Sequence, residues 1–68
     1  MKPVSGKEFA RLLEARGWEL ARIQGSHHIY RKSGRSERIS LPIHGNTPLK
    51  VGLQRSLMKI AGITDADL

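Results

Sequence analysis

Apolar residues recur near the start of the chain at the three- and four-residue spacing of an amphipathic helix. Ser5 and Glu8 precede this run with the spacing of a capping box, in which each side chain bonds the other residue's backbone amide. Gly17 suits the left-handed position that follows a helix C-terminus. The pattern predicts a helix over about residues 6–16, whose buried stripe consists of Phe9, Leu12 and Leu13.

Shorter alternating segments follow and predict three strands, over residues 18–24, 27–32 and 38–44. Gly25 and Ser26 form a link short enough for a hairpin. The alternation in the first strand fails between Leu20 and Ile23, which predicts either a bulge or a two-sided strand near Arg22. Proline lacks an amide hydrogen, so Pro42 predicts that the third strand lies at a sheet edge.

A second helical stripe occupies the last third of the chain and ends at Gly62. Thr47 is the predicted N-cap and Pro48 the first helical residue. We expect the tail, residues 64–68, to add one further turn. These elements predict one α+β domain over residues 1–68, with the order α-β-β-β-α, a three-stranded antiparallel sheet and two helices on one face. A domain of 68 residues can build only a thin core, which needs large side chains. Trp18 and Tyr30 are therefore expected to be core residues rather than platforms for stacking bases.

Positive charge is concentrated in the middle of the chain. The 68 residues carry 12 Lys and Arg against 6 Asp and Glu, a net charge of +6. Between Leu20 and Ile63 the single acidic residue is Glu37. The basic residues of the same stretch are Arg22, Arg31, Lys32, Arg35, Arg38, Lys50, Arg55 and Lys59. A solvated charged face explains part of this pattern, but a continuous basic surface favours a nucleic-acid partner.

The chain contains no cysteine, which excludes a disulfide framework and a thiolate metal site. This composition agrees with a reducing cytoplasm, the expected location. No segment is apolar over the length that spans a bilayer, so no membrane partner is expected.

The stretch from Gly25 to His28 places two imidazoles beside a glycine and a hydroxyl. Imidazole can both accept and donate a proton near neutral pH. Neighbouring strand residues face opposite sides of a sheet, so His27 and His28 are expected to point apart. That separation, with no cysteine or nearby acid, disfavours a zinc site built from the two histidines and His44.

The order and spacing of these elements resemble the HicA family of toxins from toxin-antitoxin pairs. The resemblance covers nearly the whole chain and rests on Ser5 with the first helix, Gly17-Trp18, Gly25-Ser26-His27, Leu41-Pro42-Ile43-His44, Thr47-Pro48-Leu49-Lys50 and residues 57–63. It implies a fold like that of a double-stranded RNA-binding domain, ribonuclease activity on mRNA and neutralisation by a HicB-type antitoxin. The family's catalytic histidine directly follows Gly-Ser, which corresponds to His27.

The resemblance thus implies an endoribonuclease, which we expect to be independent of metal ions and cofactors and monomeric when free. His27 is expected to act as general base or acid in a transesterification that leaves a 2′,3′-cyclic phosphate and a 5′-hydroxyl. Gly25 would allow close backbone approach, and the Ser26 hydroxyl would bond a phosphate oxygen. The expected RNA-binding cations are Arg22, Lys32 and Lys50. His28 is either a further RNA contact, stacking with Tyr30, or a packed residue, and the sequence assigns no chemistry to His44.

Two other functions fit the same features. A non-catalytic RNA-binding module would use this fold and basic face for shape recognition. Alternatively, the basic surface would mainly meet an acidic antitoxin rather than nucleic acid.

Overall fold

Two helices and three strands account for most of the chain. The computed structural model describes residues 1–68, with α1 at Gly6–Ala15, β1 at Glu19–Gln24, β2 at His27–Arg31, β3 at Arg38–Pro42, α2 at Val51–Ala61 and a short 3₁₀ helix at Asp65–Asp67. The strands form an antiparallel sheet in the order β1-β2-β3. The predicted α+β fold, its α-β-β-β-α order and the final turn are confirmed.

The local sequence sets both ends of α1. The Ser5 hydroxyl accepts from the Glu8 amide at 3.2 Å, and the Glu8 carboxylate accepts from the Ser5 amide at 2.9 Å. The bond from the Ser5 amide holds the pKa of Glu8 below its usual value. Gly17 has a φ of 88°, and the Trp18 amide donates to the Leu13 carbonyl at 3.0 Å. The predicted capping box and glycine stop are confirmed.

The sheet contains the predicted bulge and the predicted edge strand. The pairing of β1 with β2 shifts between Leu20 and Arg22. Pro42 ends β3, which is an edge strand, and lies opposite His27. The hairpin turn between β1 and β2 begins at Gly25, whose φ of 59° has the positive sign that a type II′ turn needs at that position.

All three predicted strands extend too far, the second by a single residue, since β2 ends at Arg31 rather than Lys32. Trp18 was expected in the first strand, but it precedes β1 and is buried in the core. β3 ends at Pro42 rather than His44, because the chain turns there and the Thr47 amide donates to the His44 carbonyl at 3.0 Å.

Alternation along the strands gives the sheet two different faces. The inner face lies on the side of the helices and consists of Leu20, Ile23, His28, Tyr30, Ile39 and Leu41. Tyr30, Ile39 and Leu41 are buried in the core, whereas Leu20 and Ile23 remain exposed. The outer face is exposed except for the half-buried Ile29 and Pro42, and consists of Glu19, Arg22, Gln24, His27, Ile29, Arg31, Arg38, Ser40 and Pro42.

The core lies between the inner face and both helices. Its fully buried side chains are Phe9, Leu13, Trp18, Ile39, Leu41 and the amide-bearing Gln54. Tyr30 is buried among them, so Trp18 and Tyr30 are core residues as expected. None of the helices has the length and apolar character needed to cross a bilayer.

The predicted start of α2 at Thr47 and Pro48 is wrong. The helix begins at Val51, and Lys50 is its N-cap, with an extended backbone and no capping bond from its side chain. Pro48 instead forms an isolated bridge with Ser5, and the Leu49 amide donates to the Val4 carbonyl at 2.9 Å. This long-range pairing holds the segment extended, and a proline φ is as compatible with extended as with helical backbone. The predicted end at Gly62, with a φ of 70°, is confirmed.

Gln54 joins the N-terminal segment to α2. Its side-chain oxygen accepts from the Val4 amide at 3.2 Å, and its amide nitrogen donates to the Lys2 carbonyl at 2.7 Å. Gln54 is fully buried, so these bonds satisfy polar atoms that water cannot reach.

Gly6 allows the start of α1 to approach the end of β3. A Cβ atom at Gly6 would overlap the Pro42 carbonyl oxygen and press on Ile43. Because the obstacle is backbone, it cannot turn aside as a flexible side chain would.

We expect Gly6→Ala to destabilise the domain by about 1–2 kcal/mol, because this overlap outweighs the higher helix propensity of alanine. Unfolding in denaturant, followed by the fluorescence of the single tryptophan, measures the change. Gly52→Ala is the matched control, since Gly52 is also helical and nothing lies within 4 Å of its added Cβ. That control should stabilise the fold by about 0.5–1 kcal/mol. Equal effects of the two substitutions would contradict the close approach.

A second prediction concerns Tyr30, whose hydroxyl donates to the Glu14 carboxylate at 3.2 Å. Burial, and then the negative charge of Glu14, raise the pKa of Tyr30 to about 12. The unfolded chain loses this proton near pH 10, so the contribution to stability is complete below pH 10 and is lost between pH 10 and about 12. Ultraviolet absorbance of the phenolate reports Tyr30 alone, because the chain has one tyrosine. Glu14→Gln should lower the midpoint but leave it above 10, and a wild-type midpoint near 10 in the folded state would contradict the assignment.

Candidate functional site

His27 begins β2 and projects from the outer face of the sheet. Its side chain is exposed, and its Nδ1 atom lies 3.3 Å from the Ser40 hydroxyl on β3. Ser40 is paired with Ile29, so it lies diagonally across the sheet from His27. The contact orients the ring through Nδ1 and leaves Nε2 as the nitrogen available to a ligand.

A cavity of about 330 Å³ opens beside His27. It is formed by the start of β2, the end of β3, the loop that follows β3 and the first turn of α2. Its lining residues are His27, Pro42, His44, Thr47, Pro48, Leu49, Lys50 and Leu53. The prolines and leucines provide apolar walls, while two imidazoles, a hydroxyl and an ammonium group provide the chemistry. This volume lies within the range of small-ligand sites, roughly 300–1,000 Å³.

Lys50 brings positive charge to the cavity at the N-terminus of α2. Its side chain makes no capping bond, and no acidic residue lies in the first turn of the helix. The amides of a helix N-terminus and its dipole favour an anion. A phosphate in this cavity would therefore meet an ammonium group and a helix N-terminus together.

The predicted Gly25 and Ser26 lie next to His27 in the hairpin turn. Nothing lies within 4 Å of a Cβ built at Gly25, so the turn is open to a ligand. The Ser26 carbonyl accepts from the Ile43 amide at 2.8 Å and ties the turn to the chain after β3. The structure thus places both residues beside His27, although neither lines the cavity.

His28 lies on the other side of the sheet from His27, as strand alternation predicts. It is half-buried on the inner face, opposite Leu41 on β3 and Ile23 on β1. It therefore cannot share a ligand atom with His27, and its predicted RNA contact would require a separate surface.

Arg22 and Lys32 occupy different ends of the sheet. Arg22 is paired with Ile29 on the outer face, two residue pairs along the sheet from the pair of Gln24 with His27. Lys32 follows the far end of β2, about 16 Å from His27 at the rise of a strand. It lines a separate polar cavity with Glu19, Arg31, Ser33 and Arg38. Of the predicted cations, the structure brings only Lys50 into the cavity with His27.

Arg35 has a structural role that the sequence did not indicate. Its guanidinium donates to the Ile60 carbonyl at 2.8 Å and pairs with Glu37 at 3.0 Å. It also lies 5.6 Å from the centre of the Trp18 ring. These contacts bind the turn after β2 to the end of α2, so Arg35 is occupied within the fold.

The other basic residues are divided between the sheet and α2. Three arginines, Arg22, Arg31 and Arg38, share the outer face with one acid, Glu19. Arg55 and Lys59 lie on α2 and line the largest cavity, about 430 Å³, together with Met1, Met58, Ile63, Thr64 and Asp65. That cavity contains no histidine. The smaller cavity beside His27 is the candidate site because it contains groups that can transfer a proton.

The three histidines do not form a metal site. His27 and His28 project from opposite faces, and no group of three His, Cys, Asp or Glu side chains is arranged to hold a metal ion.

Sequence reasoning missed Ser40 and the position of His44. Ser40 could have been found by pairing His27 with Pro42, which places Ser40 diagonally opposite the histidine. His44 lies in the loop after β3, where strand alternation does not predict which way a side chain points. Only the folded chain shows that His44 shares a cavity with His27.

Comparison with known families identifies the chain. No curated protein matches it. A family model described as the HicA toxin of bacterial toxin-antitoxin matches residues 6–63, which include both helices, the whole sheet and every residue of the cavity beside His27. The chain belongs to the HicA toxin family, the toxins of bacterial toxin-antitoxin systems.

Proposed function

We propose that this toxin is a metal-independent endoribonuclease that cleaves mRNA, with His27 as its catalytic residue. The observation that carries the proposal is the exposed imidazole of His27, which lines a cavity with the cation Lys50. The cavity lies at one end of an outer face that carries three arginines. Proton transfer, phosphate binding and RNA attraction are thus available side by side.

RNA supplies its own nucleophile for this reaction. Removal of the 2′-hydroxyl proton allows that oxygen to bond phosphorus while the bond from phosphorus to the 5′-oxygen breaks. The products are a 2′,3′-cyclic phosphate and a 5′-hydroxyl, so water is not consumed. The step requires proton transfer and stabilisation of charge on the phosphate, which imidazole and Lys50 can provide without a metal ion.

Proton transfer by His27 alone would provide only part of the rate acceleration. A positioned acid or base accelerates a reaction by roughly 10²–10⁴-fold, or about 3–5 kcal/mol. Binding and orientation of the RNA must provide the remainder. The Ser40 contact supports this role, because it fixes the ring through Nδ1 and presents Nε2 outward.

A non-catalytic RNA-binding module is the alternative function. The same outer face would bind phosphates, and binding would weaken with salt in both cases. The two functions differ in whether RNA is cut when only the protein is added.

We expect His27→Ala to reduce cleavage of RNA in the presence of EDTA by at least about 100-fold, because the proton-transfer group is lost. Gel analysis of labelled RNA measures the rate, and growth arrest on expression provides a second readout. Ser36→Ala, in the exposed segment before β3, is the control and should cleave normally. Unchanged cleavage by His27→Ala would contradict the assignment. RNA binding without cleavage by the wild-type protein would favour the alternative.

A HicB-type antitoxin is the proposed protein partner, covering His27 and the outer face. The three arginines of this face outnumber its one acid, Glu19, and this excess of positive charge suits an acidic partner surface. Arg31→Glu should therefore weaken the complex at least about tenfold by placing like charges together. Arg55→Glu makes the same charge change on α2 and should leave affinity unchanged, which calorimetry can measure for both variants. Equal losses, or a complex that leaves His27 open to solvent, would contradict this docking.

A further inference from the structure

His44 is the second imidazole of the cavity beside His27, and the single-histidine reaction leaves it without a role. His27 enters the cavity from the start of β2, whereas His44 enters from the loop after β3. The ring of His44 is exposed, and its loop is held by backbone bonds, from the Thr47 amide to the His44 carbonyl and from the Leu49 amide to the Val4 carbonyl. The backbone at His44 is therefore held in place by the fold and not by bonds from the His44 side chain.

RNA cleavage through the 2′-hydroxyl involves two proton transfers at different atoms. The nucleophile and the leaving oxygen stand on opposite sides of phosphorus during an in-line displacement. One group must take the 2′-hydroxyl proton, and a second position must deliver a proton to the 5′-oxygen. Two imidazoles from separate elements of the fold meet this requirement better than one.

The other polar groups of the cavity do not suit proton delivery. Lys50 carries a compact positive charge suited to the phosphate oxygens. The Thr47 hydroxyl can donate a hydrogen bond but does not release its proton near neutral pH. Imidazole exchanges its proton in that range, so His44 is the group of the cavity that fits the second transfer.

We propose that His44 is a second catalytic residue of this toxin, acting as the general acid while His27 acts as the general base. The inference rests on the proposed ribonuclease function and extends it. His27 Nε2 takes the proton of the 2′-hydroxyl, and the 2′-oxygen forms its bond to phosphorus. The bond between phosphorus and the 5′-oxygen breaks, and the 5′-oxygen receives the proton of the His44 imidazolium. One proton enters the protein at His27 and one leaves at His44, so the exchange balances.

A sulfur-substituted RNA separates the two roles. A cleavage site is first mapped with the wild-type protein, and the same oligonucleotide is then made with sulfur in place of the 5′-oxygen at that site. A thiolate leaves without being protonated, so this substrate needs a base but no acid. Rates are measured with both substrates in EDTA for the wild type, His44→Ala and His27→Ala.

With the ordinary RNA, His44→Ala should lose at least about 100-fold in rate. With the sulfur substrate, its rate should return to within about tenfold of the wild type, whereas His27→Ala should remain slow on both. The proposal is overturned if His44→Ala cleaves ordinary RNA normally, if sulfur does not restore it, or if sulfur restores His27→Ala instead. In each of these cases a slow His27→Ala leaves the ribonuclease function standing. Failure of the wild-type protein to cleave either RNA would overturn both.

Asn46→Ala controls for disturbance of the loop. Asn46 is exposed in the same turn as His44 but does not line the cavity. It should behave as the wild type on both substrates. An equal loss in this variant would assign the effect to loop conformation and overturn the catalytic role of His44. Unfolding followed by Trp18 fluorescence confirms that each variant is folded.

Discussion

Backbone pairing between the N-terminal segment and the chain before α2 is the constraint on which the site depends. The Val4 carbonyl accepts from the Leu49 amide, and Ser5 bridges Pro48. Gln54 then bonds the backbone of Lys2 and Val4 from within the core. The two Gln54 bonds join residues 50 and 52 positions apart in sequence. Without these contacts, nothing in the local sequence would hold the segment from His44 to Lys50 beside the sheet.

The cavity is therefore a product of tertiary structure. His27 belongs to a hairpin that can form from nearby residues alone, since a two-residue link joins β1 to β2. His44 and Lys50 reach the same cavity only when the N-terminal segment, α1 and α2 have assembled. Gly6 contributes at the junction, because its missing side chain lets α1 approach the end of β3.

Features that depend on neighbouring residues were predicted from the sequence. The capping box at Ser5, the glycine stop at Gly17, the bulge near Arg22 and the opposite directions of His27 and His28 all follow from local chemistry or alternation. The start of α2 was missed because Thr47 and Pro48 have the local pattern of a helix start, whereas pairing with Val4 and Ser5 keeps that segment extended. The structural role of Arg35 was missed for the same reason, since its acceptor at Ile60 lies far along the chain.

The bulge in β1 has a consequence for encounters between copies of this protein. β1 is an edge strand whose side chains are all exposed, including Leu20 and Ile23, and such an edge invites another strand to pair with it. The shift between Leu20 and Arg22 divides the free edge into two short stretches whose hydrogen-bonding groups are out of step. A straight strand can match one stretch but not both, and Glu19 and Arg22 add charge to the edge. The irregularity thus discourages growth of the sheet from molecule to molecule, which protects a small basic protein from ordered aggregation.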